Sequence, residues 1–149
     1  MTKPSVFKIQ LLLKGKDKGM KWVDCIVFML IENGQVLAER RKLTKAVEPG
    51  VLALPGGHCE EGETLKESLL RELKEELEII PHRFHYVCTL LHKSQEYRKL
   101  HYYAVESWQG SVQNHEAESL HWVSIDHLEI LDLYVDQQAV KEYLRIYDG

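Results

Sequence analysis

Residues 57–79 read GHCEEGETLKESLLRELKEELEI, and the rest of the chain can be understood outward from them. Thr64 is a good N-cap with Glu67 three residues on, the arrangement of a capping box. Leu65, Leu69, Leu73 and Leu77 recur at four-residue steps with Leu70 beside them, so a helix over 64–77 turns one apolar face to a core. Pro81 limits its continuation by pushing Ile80 out of helical geometry. At about 100° per residue, Glu72, Glu75 and Glu76 fall within an arc of about 100° directly beside the leucines. On an exposed helix, like charges four apart cost only about 0.2 to 0.5 kcal/mol. In a cleft, such a pair at about 5 Å and an effective dielectric of about 20 repels by roughly 3 kcal/mol. Alone on a surface helix, RExxEE is a solvated charged face; recessed, it calls for a hard divalent cation, Mg2+ with Mn2+ as substitute.

Around this helix the pattern changes to strands. The run WVDCIVFMLI at 22–31 is rich in β-branched and aromatic residues, Asn33-Gly34 is a hairpin turn, and 35–41 is the returning strand. VLALP at 51–55 is a further strand that enters Gly56-Gly57. Strands follow at 84–91, 100–108 and 120–124, the last with Trp122 assigned to the core. An amphipathic helix over 135–146 is marked by Val135, Val140, Tyr143, Leu144 and Tyr147. The first 21 residues carry six Lys and one Asp around an apolar middle, an edge strand ending in a turn at 15–19. Strands and helices mix without strict alternation, which favours a mixed sheet with helices on its faces over a doubly wound parallel fold.

The chain has 149 residues, expected as one domain over 1–149 that hides roughly 70% of its unfolded surface. At 44% hydrophobic and 28% charged, collagen-like, low-complexity and wholly disordered classes are excluded. The longest apolar run, 25–31, has seven residues, far short of the roughly 20 of a membrane span. No secretory or transit pattern is read at the start, so a cytoplasmic address is expected. A net charge of -4 argues against general nucleic-acid affinity. Three cysteines without a CxxC pair read as free thiols, Cys25 and Cys88 in the core and Cys59 in an exposed loop.

Gly57, Glu63, Arg71-Glu72-Leu73, Glu75-Glu76 and Ile79 together resemble the signature box of the Nudix hydrolases, Gx5Ex7REUxEExGU, in which U is a bulky aliphatic residue. The ALPGG at 53–57 is similar to the family's approach to the box, and a looser likeness runs from Trp22 to the end. The resemblance implies an α/β (α+β) domain, a Nudix-like α/β/α sandwich with a mixed β-sheet and helices on both faces. It also implies cleavage by water of a diphosphate linkage held on divalent cations, Mg2+ or Mn2+. By the same likeness Glu72, Glu75 and Glu76 are metal-binding, with the Gly56 carbonyl and Glu116 as further ligands and Glu118 competing with Glu116. Glu76 and Glu72 are the catalytic carboxylates, with a glutamate outside the box as another choice for the base; Arg71 and Glu63 orient them. Glu78 stands where the family has glycine, from which an altered helix exit is expected.

Arg40 and Arg41 resemble the basic pair that touches substrate phosphates in related nucleotide hydrolases. Tyr134 and Asp136 fall where oxidised-purine nucleotide hydrolases pack and hydrogen-bond the base. The implied substrate is a nucleoside triphosphate, oxidised purines included. Hydrolysis of ADP-ribose or diadenosine polyphosphates, or a noncatalytic nucleotide-sensing module, are the alternatives. The partner is thus a small-molecule nucleotide, without membrane or stable nucleic-acid partner, in a monomer or homodimer.

Overall fold

The computed structural model describes Gly19 and residues 21–148; the edge strand expected in the first 21 residues lies almost wholly outside them. In chain order the elements are β1 (Val23–Glu32), β2 (Gln35–Arg40), β3 (Leu52–Ala53), β4 (Gly56–His58), α1 (Leu65–Leu77), β5 (Ile80–Lys93), β6 (Tyr97–Gln109) and β7 (Ser119–Ser124). A 3-10 segment, Ile125–Ile130, then leads to α2 (Tyr134–Tyr143) and a final π turn, Leu144–Asp148. None of the described helices is long and apolar enough to cross a membrane.

The sheet runs β3-β2-β1-β6-β5, with β4 also on β1 and β7 on β2. β1 and β6 are parallel and the remaining pairs antiparallel, the mixed sheet expected. β1 is central, and its side chains alternate between two cores. Ile26, Phe28 and Leu30 meet Leu69, Leu73 and Leu77 of α1 on one face. Cys25, Val27 and Met29 join Ala139, Val140 and Tyr143 of α2 on the other. This coverage on both sides explains the unbroken apolar run at 25–31.

The hairpin turns at Asn33 and Gly34 with φ of 51° and 72°, the left-handed pair that Asn-Gly accommodates with little strain. The strand expected at 51–55 is shortened to Leu52–Ala53, and a separate one follows at Gly56–His58. Leu52–Ala53 pairs with the end of β2, and Gly56–His58 pairs with the first half of β1. Between them the Phe28 N–H donates to the Pro55 carbonyl at 3.0 Å. This change of partner leaves an opening between the two short strands and the layers above and below.

α1 starts as expected. Thr64 Oγ1 accepts from the Glu67 N–H at 3.1 Å, and the Thr64 N–H donates to Glu67 Oε1 at 2.8 Å. It ends without the altered exit expected at Glu78, which adopts the left-handed conformation itself, φ 57° and ψ 41°. The Glu78 N–H reaches the Lys74 carbonyl, the Ile79 N–H reaches the Leu73 carbonyl, and His115 Nε2 sits 2.5 Å from Glu78 Oε1. The helix thus stops by its own cap, ahead of Pro81. Three placements differ from expectation. Leu70 is exposed on the outer side of α1. Trp122 is 37% exposed because β7 joins only the outer side of β2, so it is not a core residue. Cys59 is half-buried against the α1 core, whereas Cys25 and Cys88 are buried as expected.

Candidate functional site

The opening beside β3 and β4 is a cavity of about 550 Å³, walled by α1 on one side and by the start of α2 on the other. α1 buries two adjacent stripes, Leu69-Leu73-Leu77 and Ser68-Glu72-Glu76. The first enters the core; the second faces the cavity edge, and Glu72 and Glu76 are only 8% and 7% exposed. Two glycines make room for this. A Cβ on Gly56 would lie 2.1 Å from the Ile26 carbonyl oxygen, and one on Gly57 would lie 2.2 Å from Glu72 Oε2. Any side chain at 57 would occupy the space of a carboxylate.

Arg71 fastens the cluster. Its Nε and Nη2 donate to the two oxygens of Glu63 at 2.6 and 3.0 Å, a bidentate pair. Its Nη1 donates to Glu72 Oε2 at 3.2 Å and Glu75 Oε1 at 3.0 Å, and its Nη2 to the His58 carbonyl at 2.9 Å. Glu63 also accepts from Ser68 Oγ and the Glu60 N–H. The Arg71 guanidinium, then these two donors, hold the Glu63 carboxyl down to about 2. Glu63 in turn raises the Arg71 pKa, so both remain charged.

Glu76 is the opposite case. Its Oε1 is buried with no hydrogen-bond partner. Burial raises its pKa most, followed by Glu72 and then the charges of Glu39 and Glu116. An orphaned, water-excluded carboxylate oxygen facing other carboxylates is costly unless a cation meets it. The donors are all oxygens, which fits a hard divalent ion such as Mg2+. Glu72, Glu76 and the Gly56 backbone line the cavity and would hold it.

The remaining expected site residues divide. Glu75 lines the rim, with its side chain 54% exposed and tied to Arg71. Glu116 lines the cavity and pairs with Lys45, whereas Glu118 contributes a backbone N–H to the Arg40 carbonyl. Arg41 lines it too, held by the Val47 carbonyl through Nε and Nη2 at 3.1 and 2.9 Å. Arg40 lies outside the lining, on the Gly50 carbonyl and 3.7 Å from Asp132. Tyr134 is 71% exposed and also outside, because α2 begins with its ring turned away; Leu133 lines the wall there. Asp136 is in the wall and 2% exposed, accepting from the Leu54 N–H at 2.9 Å and the Tyr102 hydroxyl at 2.7 Å. Burial lifts its pKa to about 6 against those donors.

Two features were not read from the sequence. Glu39 is 3% exposed on β2, with Arg41 Nη1 3.8 Å away, and burial lifts it to about 7. Its signal was present, since in a strand it shares the inward face of Leu37. Glu48 pairs with Arg98 and sits 2.8 Å from His92 Nε2 at the outer end of the cavity. Partners so far apart in the chain leave no local pattern.

The family model of the NUDIX domain matches residues 20–144. The 8-oxo-dGTP diphosphatase of Escherichia coli is 32% identical over 95 residues, 63% of this chain and 73% of its own length. The CTP pyrophosphohydrolase of the same organism is 29% identical over 106 residues, 70% of this chain and 78% of its own. Among solved structures, the MutT Nudix hydrolase from Burkholderia pseudomallei superimposes with a TM-score of 0.74 at 23% identity, covering 83% of this chain and 98% of that one. The domain match over most of the chain, on a mixed sheet carrying the acidic helix described above, makes this protein a member of the Nudix hydrolase family.

Proposed function

We propose that this hydrolase is a divalent-metal-dependent pyrophosphohydrolase of nucleoside triphosphates, oxidised purine nucleotides among them, releasing pyrophosphate and a nucleoside monophosphate. The observation that carries the reading is the buried, unpartnered Glu76 Oε1 beside Glu72 on the wall of a cavity large enough for a nucleotide. Mg2+ or Mn2+ bound there would neutralise the diphosphate and acidify a water for attack on phosphorus. Arg71 and Glu63 keep Glu72 in register, so little reorganisation is needed at the moment of reaction. Glu72 and Glu76, the two carboxylates on this wall, are the groups that would take the proton of the attacking water. Arg41 and Lys45, both in the lining, supply positive charge for phosphate oxygens in an otherwise acidic cavity.

At the far wall, Asp136 is a rigid carboxyl at about 6, able to accept from a base edge or, protonated, to donate. The names of the two E. coli relatives, one acting on 8-oxo-dGTP and one on CTP, support the triphosphate class and leave the base to experiment. The test is a panel of canonical and oxidised nucleoside triphosphates, ADP-ribose and diadenosine polyphosphates, with Mg2+ and identification of products. Triphosphate turnover to monophosphate and pyrophosphate is expected. Folded protein that binds nucleotides tightly without cleaving any would instead identify a sensing module.

A further inference from the structure

The acidic stripe of α1 is not the only set of metal-ligating atoms on the cavity wall. Cys25 on β1 and His58 on β4 are directly opposite in the antiparallel register, which puts their side chains on one face of the sheet at close range. Glu96, in the turn between β5 and β6, closes the third side, with His58 Nε2 2.8 Å from Glu96 Oε1. One ligand atom from each of the three lies within 4.8 Å of the others, and all three residues line the cavity. The hydrolytic role argued above uses none of these side chains.

The donor set differs in kind from the acids of α1. Sulfur, imidazole nitrogen and one carboxylate oxygen suit a borderline-soft ion, whereas Mg2+ takes oxygens. Three protein ligands with one position left open is the composition of catalytic rather than structural zinc sites. In a tetrahedral site with bonds of about 2.0 to 2.3 Å, ligand atoms stand roughly 3.5 Å apart. The half-exposed His58 ring and the loop-borne Glu96 can close that remaining gap by side-chain rotation while β1 holds Cys25. We propose that Cys25, His58 and Glu96 form a second cation site of the zinc class, with its remaining coordination position open to water or an anionic oxygen in the cavity. On binding, the Cys25 S–H bond breaks, the thiolate takes the metal, and one proton leaves to solvent. Without the ion, burial pushes this thiol up to about 12 and keeps it unreactive. His58 also links the site to the acidic one, because its carbonyl accepts from Arg71 Nη2.

The test is titration of the full chain with Co2+ in excess Mg2+, followed by absorption. One equivalent should produce a thiolate-to-cobalt charge-transfer band that Zn2+ abolishes. Cys25→Ser should remove the band, His58→Asn and Glu96→Gln should each weaken Co2+ binding about 10- to 100-fold, and Cys59→Ser and Glu76→Gln should leave it in place. No band from the wild type, a band surviving in folded Cys25→Ser, or loss on Cys59→Ser alone overturns the proposal. Should Cys25→Ser not fold, unchanged Co2+ affinity in both His58→Asn and Glu96→Gln overturns it equally. Retention of the band in Glu76→Gln separates this site from the hydrolytic one.

Discussion

Gly57 shows how tightly single residues are constrained at this site. Its missing side chain leaves the space that Glu72 fills, so Gly57→Ala must displace that carboxylate or the strand beneath it. A misplacement of about 1 Å at a reacting group costs about 100-fold in rate. Gly57→Ala is therefore expected to lower kcat by about that factor while circular dichroism stays that of the parent. Glu76 makes a complementary case. Its buried, unpaired oxygen destabilises the metal-free protein, and Gln removes the charge while keeping the shape. Glu76→Gln should melt no lower than the parent without metal, yet lose about 100- to 10,000-fold in kcat with it. Melting curves with and without Mg2+, beside steady-state kinetics, check both parts.

At the scale of elements, α1 depends on its two ends. Thr64→Ala removes a cap and should destabilise by about 1 kcal/mol. Glu78→Gly relieves a left-handed non-glycine residue and should stabilise by up to about 1 kcal/mol, less whatever the exposed His115 contact contributes. Urea unfolding of the two variants measures these opposite signs. The exit was not legible, since Glu78 takes the left-handed geometry expected of glycine, whereas the start was, because its capping is written within four or five residues. The Asn33-Gly34 hairpin and the leucine stripe were legible for the same reason. Burial set by distant chain was not. Trp122 reads as core from its neighbours in the chain, but β7 lies on the outer side of β2, and Tyr134 sits exposed at the start of α2, outside the cavity lining. The box residues were readable because one helix and the loop before it carry them all. The Glu48–Arg98 pair enters the cavity lining only through long-range contact, and Glu39, outside that lining, comes near its charges through sheet pairing.

For the whole molecule, the cavity concentrates negative charge that folding must contain. Glu39, buried outside the lining but coupled to it, shows the cost: its carboxyl is lifted from 4.5 to about 7 by burial, with Arg41 and Lys45 of the lining opposing and Glu116 and Asp136 reinforcing. Below 4.5 both folded and unfolded chains keep this proton and the group is neutral to stability. As pH rises through the interval up to about 7, the unfolded chain gives the proton up first, so the parent loses stability relative to Glu39→Gln. At about 1.4 kcal/mol per pKa unit the loss reaches up to about 3 kcal/mol and then levels off. Denaturant unfolding of both proteins across that interval, in chelator, measures the difference. A parallel pH dependence in the two would place the strain elsewhere.

On the proposed function the same field makes the acidic wall a cation site, and Mn2+ binding followed by electron paramagnetic resonance measures that most directly. The parent should bind Mn2+, Mg2+ should compete it off, and Glu76→Gln should weaken it by at least about 10-fold. Equal Mn2+ affinity in the parent and a folded Glu76→Gln would contradict the account at its centre.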